Sequence, residues 1–238
     1  MKRVTYFAAL SKVSEDTLKS CADLFSSDYG IWGDQASTIS KYTLAENTLL
    51  VTYYIQVDPL ESEPPKLYGH AFATVWGYSK HKVGWVTQLV VDKAVRQCYI
   101  ATQLLQTLKF HTLFSSVNIV GLASSHPAAC NALAKYAAAN IKDVNLDFIR
   151  EHAKGVLESL PISYVKAAQL RGTLFEDNCN NRAISSVYTE FYVDHAEPLA
   201  VLEQYKKKGP WCLGELLDGH EFLAIFPIAP MSPVDPKS

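Results

Sequence analysis

The sequence predicts an α/β fold with a mixed sheet, and three observations carry that prediction. The first is residues 85–108. There Trp85-Val86-Thr87-Gln88-Leu89-Val90-Val91, mostly apolar and β-branched, gives way to a stretch of helical period. The first part suits a buried central strand. From 99 to 108, Ile100, Ala101, Leu104, Leu105 and Leu108 share one helical stripe, with Thr102, Gln103, Gln106 and Thr107 off it. The second observation is a set of strand-like segments at 48–57, 68–76 and 82–91, spaced as an antiparallel meander leading into that helix. The third is the alternation of strand and helix patterns that continues to a closing strand at 221–226.

The elements follow in order. Residues 4–8 read as a first strand. Ser14 is an N-cap, with Glu15 and Asp16 in the first turn, and Leu18, Cys21, Ala22 and Phe25 form the apolar stripe. Gly30 and Gly33 bracket Ile31-Trp32 in a loop, either a packed aromatic loop or a substrate wall. Residues 58–66 hold three Pro and three acidic residues and read as an exposed loop. A strand at 119–125 precedes a helix at 128–139, capped by Ser125 or His126 with Pro127 in its first turn. Leu146, Ile149, Ala153, Val156 and Leu157 mark another helix, and 164–170 a further one. Together, 141–172 read as a helical insertion in a single domain spanning 1–238. It is too short to hold its own core, and we expect it to pack against the core and border a cleft. Residues 184–193 read as a strand, 198–205 as a helix, and 227–238, with four Pro, as an irregular tail.

Composition narrows the function classes. Hydrophobic residues make up 48% of the 238, enough for a sizeable core. The net charge of -2, from 22 basic and 24 acidic residues, argues against a nucleic-acid surface. No apolar run approaches the roughly 20 residues that cross a bilayer, and the start of the chain lacks a secretory signal's apolar stretch. Five widely spaced Cys form no CxxC pair, so neither a disulfide framework nor a zinc site is expected. These readings point to a cytoplasmic protein without membrane or nucleic-acid partners. His195-Ala196-Glu197 and His220-Glu221 have metal-like composition, but their spacing matches no ligand motif. No activating partner is visible for Cys98 or Cys130 as a nucleophile.

Arg96-Gln97-Cys98-Tyr99-Ile100-Ala101 resembles motif A of the Gcn5-related N-acetyltransferases (GNAT), whose signature is Arg/Gln-x-x-Gly-x-Gly/Ala. Arg96 matches the first position and Ala101 the last, while Tyr99 stands in place of the first Gly. Leu104-Leu105 sits where that helix carries its core pair. Downstream, Ile119-Val120-Gly121-Leu122-Ala123-Ser124-Ser125 resembles the family's next strand. His126-Pro127-Ala128-Ala129 resembles the Asn-x-x-Ala opening of its next helix, with His126 for Asn. Leu24-Phe25, Tyr29-Gly30-Ile31-Trp32-Gly33 and Gly69-His70-Ala71-Phe72-Ala73 upstream are similar to uncharacterised fungal members. The resemblance covers roughly 4–136.

The resemblance implies a GNAT-type sheet, mixed and mostly antiparallel, flanked by helices. It implies acyl-CoA-dependent N-acyl transfer, with acetyl-CoA as donor, a primary amine as acceptor and no metal. The acceptor is read as a small molecule in preference to a protein. The implied cofactor site runs through Leu89, Val90 and Val91 on a strand splayed from its neighbour, then Arg96, Gln97, Cys98, Tyr99, Ile100, Ala101 and Thr102, with His126 nearby. A helix N-terminus there offers free amides and positive dipole to a pyrophosphate. Tyr99 is expected in the first helical turn without positive φ, its ring turned outward. Catalytic candidates are Gln88, which cannot titrate, and His70, either a base or a core residue. Leu133 occupies the position where the family often places a general-acid Tyr. The alternative is a degenerate GNAT fold serving as a ligand-binding or regulatory module.

Overall fold

The structure, a computed structural model, describes residues 2–9, 13–29, 47–56, 65–177 and 181–229. The predicted loop at 30–33, most of the loop at 58–66 and the tail beyond 229 lie outside the described residues. The described strands are β1 (Lys2–Ala9), β2 (Thr48–Gln56), β3 (Lys66–Tyr78), β4 (His81–Val91), β5 (Ile119–Ser124), β6 (Gln169–Arg171), β7 (Ser186–Tyr188) and β8 (His220–Pro227). The helices are α1 (Glu15–Asp28), α2 (Ile100–Leu108), α3 (Pro127–Tyr136), α4 (Leu146–Ser159), α5 (Ser163–Lys166) and α6 (Ala196–Lys208). The strands form one sheet in the order β1-β2-β3-β4-β5-β8-β7-β6. β4 and β5 pair parallel, and the other described neighbours pair antiparallel. This is the mixed, mostly antiparallel, helix-flanked sheet that the sequence predicts.

The parallel pair is short, and its shortness shapes the molecule. β4 and β5 meet at Val83–Ile119, Gly84–Val120 and Trp85–Gly121, and the ladder then stops. β4 continues along β3 as far as Val91 opposite Gly69, and β5 continues along β8 to Ser124 opposite Phe222. The two strands therefore part. Two local features sit at the parting. β4 carries one extra residue between Val86, opposite Ala73, and Gln88, opposite Phe72. Such a bulge bends a strand and sharpens its twist. Trp85 is wholly buried, and its ring fills the space beside Gly121, where an added Cβ would come within 2.5 Å of it.

Helices cover both faces. α2 buries Ile100, Leu104, Leu105 and Leu108, the stripe read from the sequence, each worth roughly 1.5–3 kcal/mol. It lies so close to β3 that a Cβ on Gly69 would sit 3.2 Å from Ile100 and 3.3 Å from Leu104. α1 starts as predicted, with Ser14 Oγ accepting from Thr17 N at 3.2 Å. Its Cys21 and Leu24 pack with Leu50, Leu67, Phe72 and Val90 in a second, smaller cluster. α4 buries Ile149, Ala153, Val156 and Leu157 and packs on β3 and β8, with Ser159 Oγ accepting from Trp76 Nε1 at 3.0 Å.

The second half departs from the sequence reading in three places. Residues 164–170 form no continuous helix. α5 is a single turn, and the chain then enters β6 to pair with β7. Of 184–193 only Ser186–Tyr188 is a strand: Thr189 N still reaches Gly219 O in the β7–β8 register, but Gly219 and Glu190 then take positive φ of 69° and 58°. The helix expected at 198–205 is longer at both ends, as α6.

Gly121→Ala tests the parting. Its methyl has nowhere to go but into the Trp85 ring, so we expect a loss of about 1–3 kcal/mol, read from the urea midpoint at unchanged m-value.

Candidate functional site

Beyond Val91 the chain turns sharply to start α2. Asp92 Oδ1 caps a short 3-10 turn at Lys93–Val95, accepting from Ala94 N at 2.8 Å. Arg96 is extended, Gln97 has φ 64°, and Tyr99 has φ 60° and ψ 13°. Tyr99 is thus the N-cap of α2 in the left-handed region, where the sequence reading had placed it in the first turn with ordinary φ. The reversal from extended Arg96 into α2 needs positive φ, a region that Gly adopts more readily than any other residue. A left-handed non-glycine residue costs roughly 1–2 kcal/mol. The Tyr99 ring is 68% exposed, and Lys135 Nζ lies 4.9 Å from its centroid. With no side-chain cap at Tyr99, the first-turn amides of α2 face outward from the helix end.

A cavity of about 750 Å³ opens at this helix end. It brings together nearly all the sequence-predicted cofactor residues: Leu89, Val90 and Val91 from β4, then Arg96, Gln97, Tyr99, Ile100, Ala101 and Thr102, and His126. Cys98 is exposed and does not line it. Neither do Gln88 and His70, nor any residue of 141–172, so the insertion does not border this cavity. The opposite wall is α6, with Glu197, Tyr205 and Lys208. Asp28 and Tyr29, at the end of α1, close one side.

The parting of β4 and β5 gives the cavity its polar edge. Asp92 N donates to Tyr68 O at 2.9 Å, toward β3. Antiparallel strands alternate the side to which their backbone groups point. The N–H and C=O of Leu89 and Val91 therefore face the gap where β5 has left. Arg96 Nε takes Val91 O from that gap at 3.1 Å.

Arg96 is firmly held. Besides Val91 O, its guanidinium donates to Asp28 O and to the Glu197 carboxylate. His126 is the N-cap of α3, its Nδ1 accepting from Ala128 N at 3.2 Å. The proton of the neutral ring is then on Nε2, which is buried without a close hydrogen-bond partner among the described residues, 3.8 Å from Glu197 Oε1. The His126 ring and the Arg96 guanidinium together hold the Glu197 carboxyl down at about 2. The sequence reading had weighed His195-Ala196-Glu197 only as a metal-like composition, and had no local signal for a pairing 101 residues apart. No group of three or more potential metal ligands occurs among the described residues.

His70 and Gln88 face each other across β3 and β4, Nε2 to Oε1 at 3.2 Å. His70 is wholly buried, its Nδ1 has no partner among the described residues, and burial pulls it down to about 4. It is a neutral core histidine set back from the cavity. Leu133, Cys130 and Tyr136 on α3 are all buried, and burial pushes the Cys130 thiol and Tyr136 phenol up. Glu221 on β8 is also buried, and desolvation raises its carboxyl to about 7.

No protein-family model matches the chain, and no curated protein matches it. Solved structures that resemble it include the NatC complex bound to Gag peptide and CoA, at 16% identity and TM-score 0.40, over 57% of this chain and 83% of that one. Another is glucosamine-6-phosphate N-acetyltransferase from Arabidopsis thaliana, at 12% identity and TM-score 0.39, over 60% and 95%. A third is an aminoglycoside acetyltransferase from an uncultured soil metagenomic sample, at 16% identity and TM-score 0.40, over 60% and 94%. Similarities this remote carry no argument about activity or ligand. No helix among the described residues is long and apolar enough to cross a membrane.

Two substitutions test these assignments. Glycine relieves the left-handed strain at position 99, so Tyr99→Gly should stabilise the protein by about 1 kcal/mol in urea unfolding. Without the structure the opposite sign follows, since Gly inside a helix costs about that much. For Glu221, the raised carboxyl contributes stability below pH 4.5 that is lost as pH rises through about 7. The stability of Glu221→Gln minus that of the natural protein should therefore climb by about 3 kcal/mol between pH 4.5 and 7. A flat difference would mean that the carboxyl is ionised and partnered.

Proposed function

We propose that this chain is an acyl-CoA-dependent N-acyltransferase, transferring acetyl from acetyl-CoA to a primary amine by direct attack. One observation carries the reading: the gap-facing edge of Leu89 and Val91 and the uncapped first turn of α2 open onto the same cavity. A thioester attached through a long arm to a pyrophosphate needs that pair of features, amides for the carbonyl and a helix N-terminus for the phosphates. The residues fit the group in another respect. A carboxylate of the chain itself already sits on Arg96 beside His126, so this end of the cavity accepts an anion.

In this reading the freed amides of Leu89 and Val91 are shared between the thioester oxygen, where the one that reaches it stabilises the developing charge, and the pantetheine arm, because same-side amides of a strand lie too far apart to meet on one oxygen. One aligned donor of this kind is worth about 3 kcal/mol of transition-state stabilisation. The small Ala101 side chain leaves the α2 backbone open to phosphate oxygens. Tyr99 lines the cavity as well, its ring 68% exposed and set against Lys135, and the cofactor is expected to bind with the ring in that position. The acceptor is a small amine in this proposal, with polyamines, amino acids and aminosugars as the first panel. Its proton passes to water, because Gln88 cannot titrate and His70 is buried off the cavity. A second reading, a binding module without turnover, draws support from Leu133 at the general-acid position and from the Glu197 carboxylate on Arg96.

Acetyl-CoA at 100 times its dissociation constant should stabilise the protein by about 2.7 kcal/mol, visible as a melting shift. Ala101→Leu should weaken that binding at least about tenfold in isothermal titration. Amine-dependent release of free thiol separates the two readings: turnover with any member of the panel supports the enzyme, and binding with no turnover across it supports the module.

A further inference from the structure

Across the cavity, α6 reaches back to the motif loop through one side chain. Glu197, in the first turn of α6, places its carboxylate on Arg96 and near His126 Nε2. We propose that Glu197 is an internal competitor for the cofactor's phosphates, an autoinhibitory latch that must release Arg96 before an acyl-CoA can seat. The inference rests on the acyl-CoA reading for the identity of the ligand, though not for the existence of the latch.

The two sides of the ion pair are unequal. Arg96 is tied at its base by Nε to Val91 O and at its tip to Asp28 O, and its side chain is 23% exposed. Glu197 is 47% exposed, and among the described residues its charged contacts are Arg96 and His126. When the pair opens, Glu197 is the side that moves. His126 points the same way. Among the described residues its buried Nε2–H has no close hydrogen-bond acceptor, and the Glu197 carboxylate, at 3.8 Å, is a long contact. A buried donor left unmade is costly, so this one is better satisfied by an acceptor other than Glu197. A phosphate oxygen in the same place would take both Arg96 and His126. The depressed Glu197 carboxyl, at about 2, keeps the latch charged at any physiological pH, so the release is driven by ligand and not by proton. Ion pairs this exposed contribute at most about 1 kcal/mol, so the latch weakens phosphate binding by about fivefold and does not abolish it.

The test titrates CoA, and separately inorganic pyrophosphate, into the natural protein and into Glu197→Gln, with Glu197→Ala as a second variant in case the amide keeps a hydrogen bond to Arg96. Melting curves first establish that both variants fold. We expect both ligands to bind about fivefold more tightly when the carboxylate is gone. If pyrophosphate tightens while CoA binds none of the proteins, the latch stands and the acyl-CoA reading falls. If CoA binds all three with equal affinity, or binds the variants more weakly, the latch is overturned and Glu197 merely orients Arg96. If neither ligand binds any protein, both proposals fail.

Discussion

The parting of β4 and β5 is the constraint on which the rest of this structure depends. Two parallel strands that stayed paired would bury the backbone edge of Leu89 and Val91 in a ladder. They stop pairing after Trp85–Gly121 because β4 bulges just beyond that point and Trp85 is wedged over a position with no side chain. Neighbours then finish the division. β3 holds β4 to its end and β8 holds β5 to its end, so neither strand is left frayed by the gap. The gap is thus a rigid feature with polar groups on its edge, and the helix after each strand starts at its mouth. α2 follows β4 and α3 follows β5, so both N-termini, with their free amides and partial positive charge, converge on one cavity.

That convergence creates a positive pole, and the chain answers it from within. Arg96 adds a full charge, fixed by backbone carbonyls at Val91 and Asp28. A concentration of donors and positive charge around a cavity is poorly stable unless some anion meets it. Glu197 supplies one from α6, far off in sequence. α6 is therefore more than a connection between β7 and β8. It walls the cavity, packs on α3, and sets the charge at the cavity mouth.

The parts of this site that were legible in the sequence are those encoded by local periodicity. The stripe Ile100, Leu104, Leu105 and Leu108 fixes which face of α2 is buried, and hence which way its N-terminus points. Ser14 and His126 announce their helices because an N-cap is a short-range chemical requirement. What was not legible is set by chain direction or by partners far away. Tyr99 is a poor residue for positive φ, so its type gave no hint of a left-handed N-cap; only the geometry of the turn from Arg96 demands it. β6 and β7 are three residues each, too short for alternation to register, and are held by pairing with β8. Glu197 had no local signal at all. For His70 the sequence leaves base and core both open, and the structure buries it beside Gln88, off the cavity.

The fate of the two histidines bears on how protons move at this site. A general base needs a free lone pair within reach of the acceptor. His70 keeps Nδ1 free but is sealed in the sheet, where desolvation makes its charged form unfavourable. His126 is at the cavity, yet its one basic nitrogen already caps α3, and using it as a base would uncap the helix. Its remaining N–H can only donate. With Nδ1 committed to the helix cap, His126 presents its Nε2–H at the cavity as a donor suited to an anion. Under the proposed acyl transfer, the thioester would be polarised through a β4 amide and the amine would shed its proton to solvent, with rate set by the fraction of acceptor that is neutral.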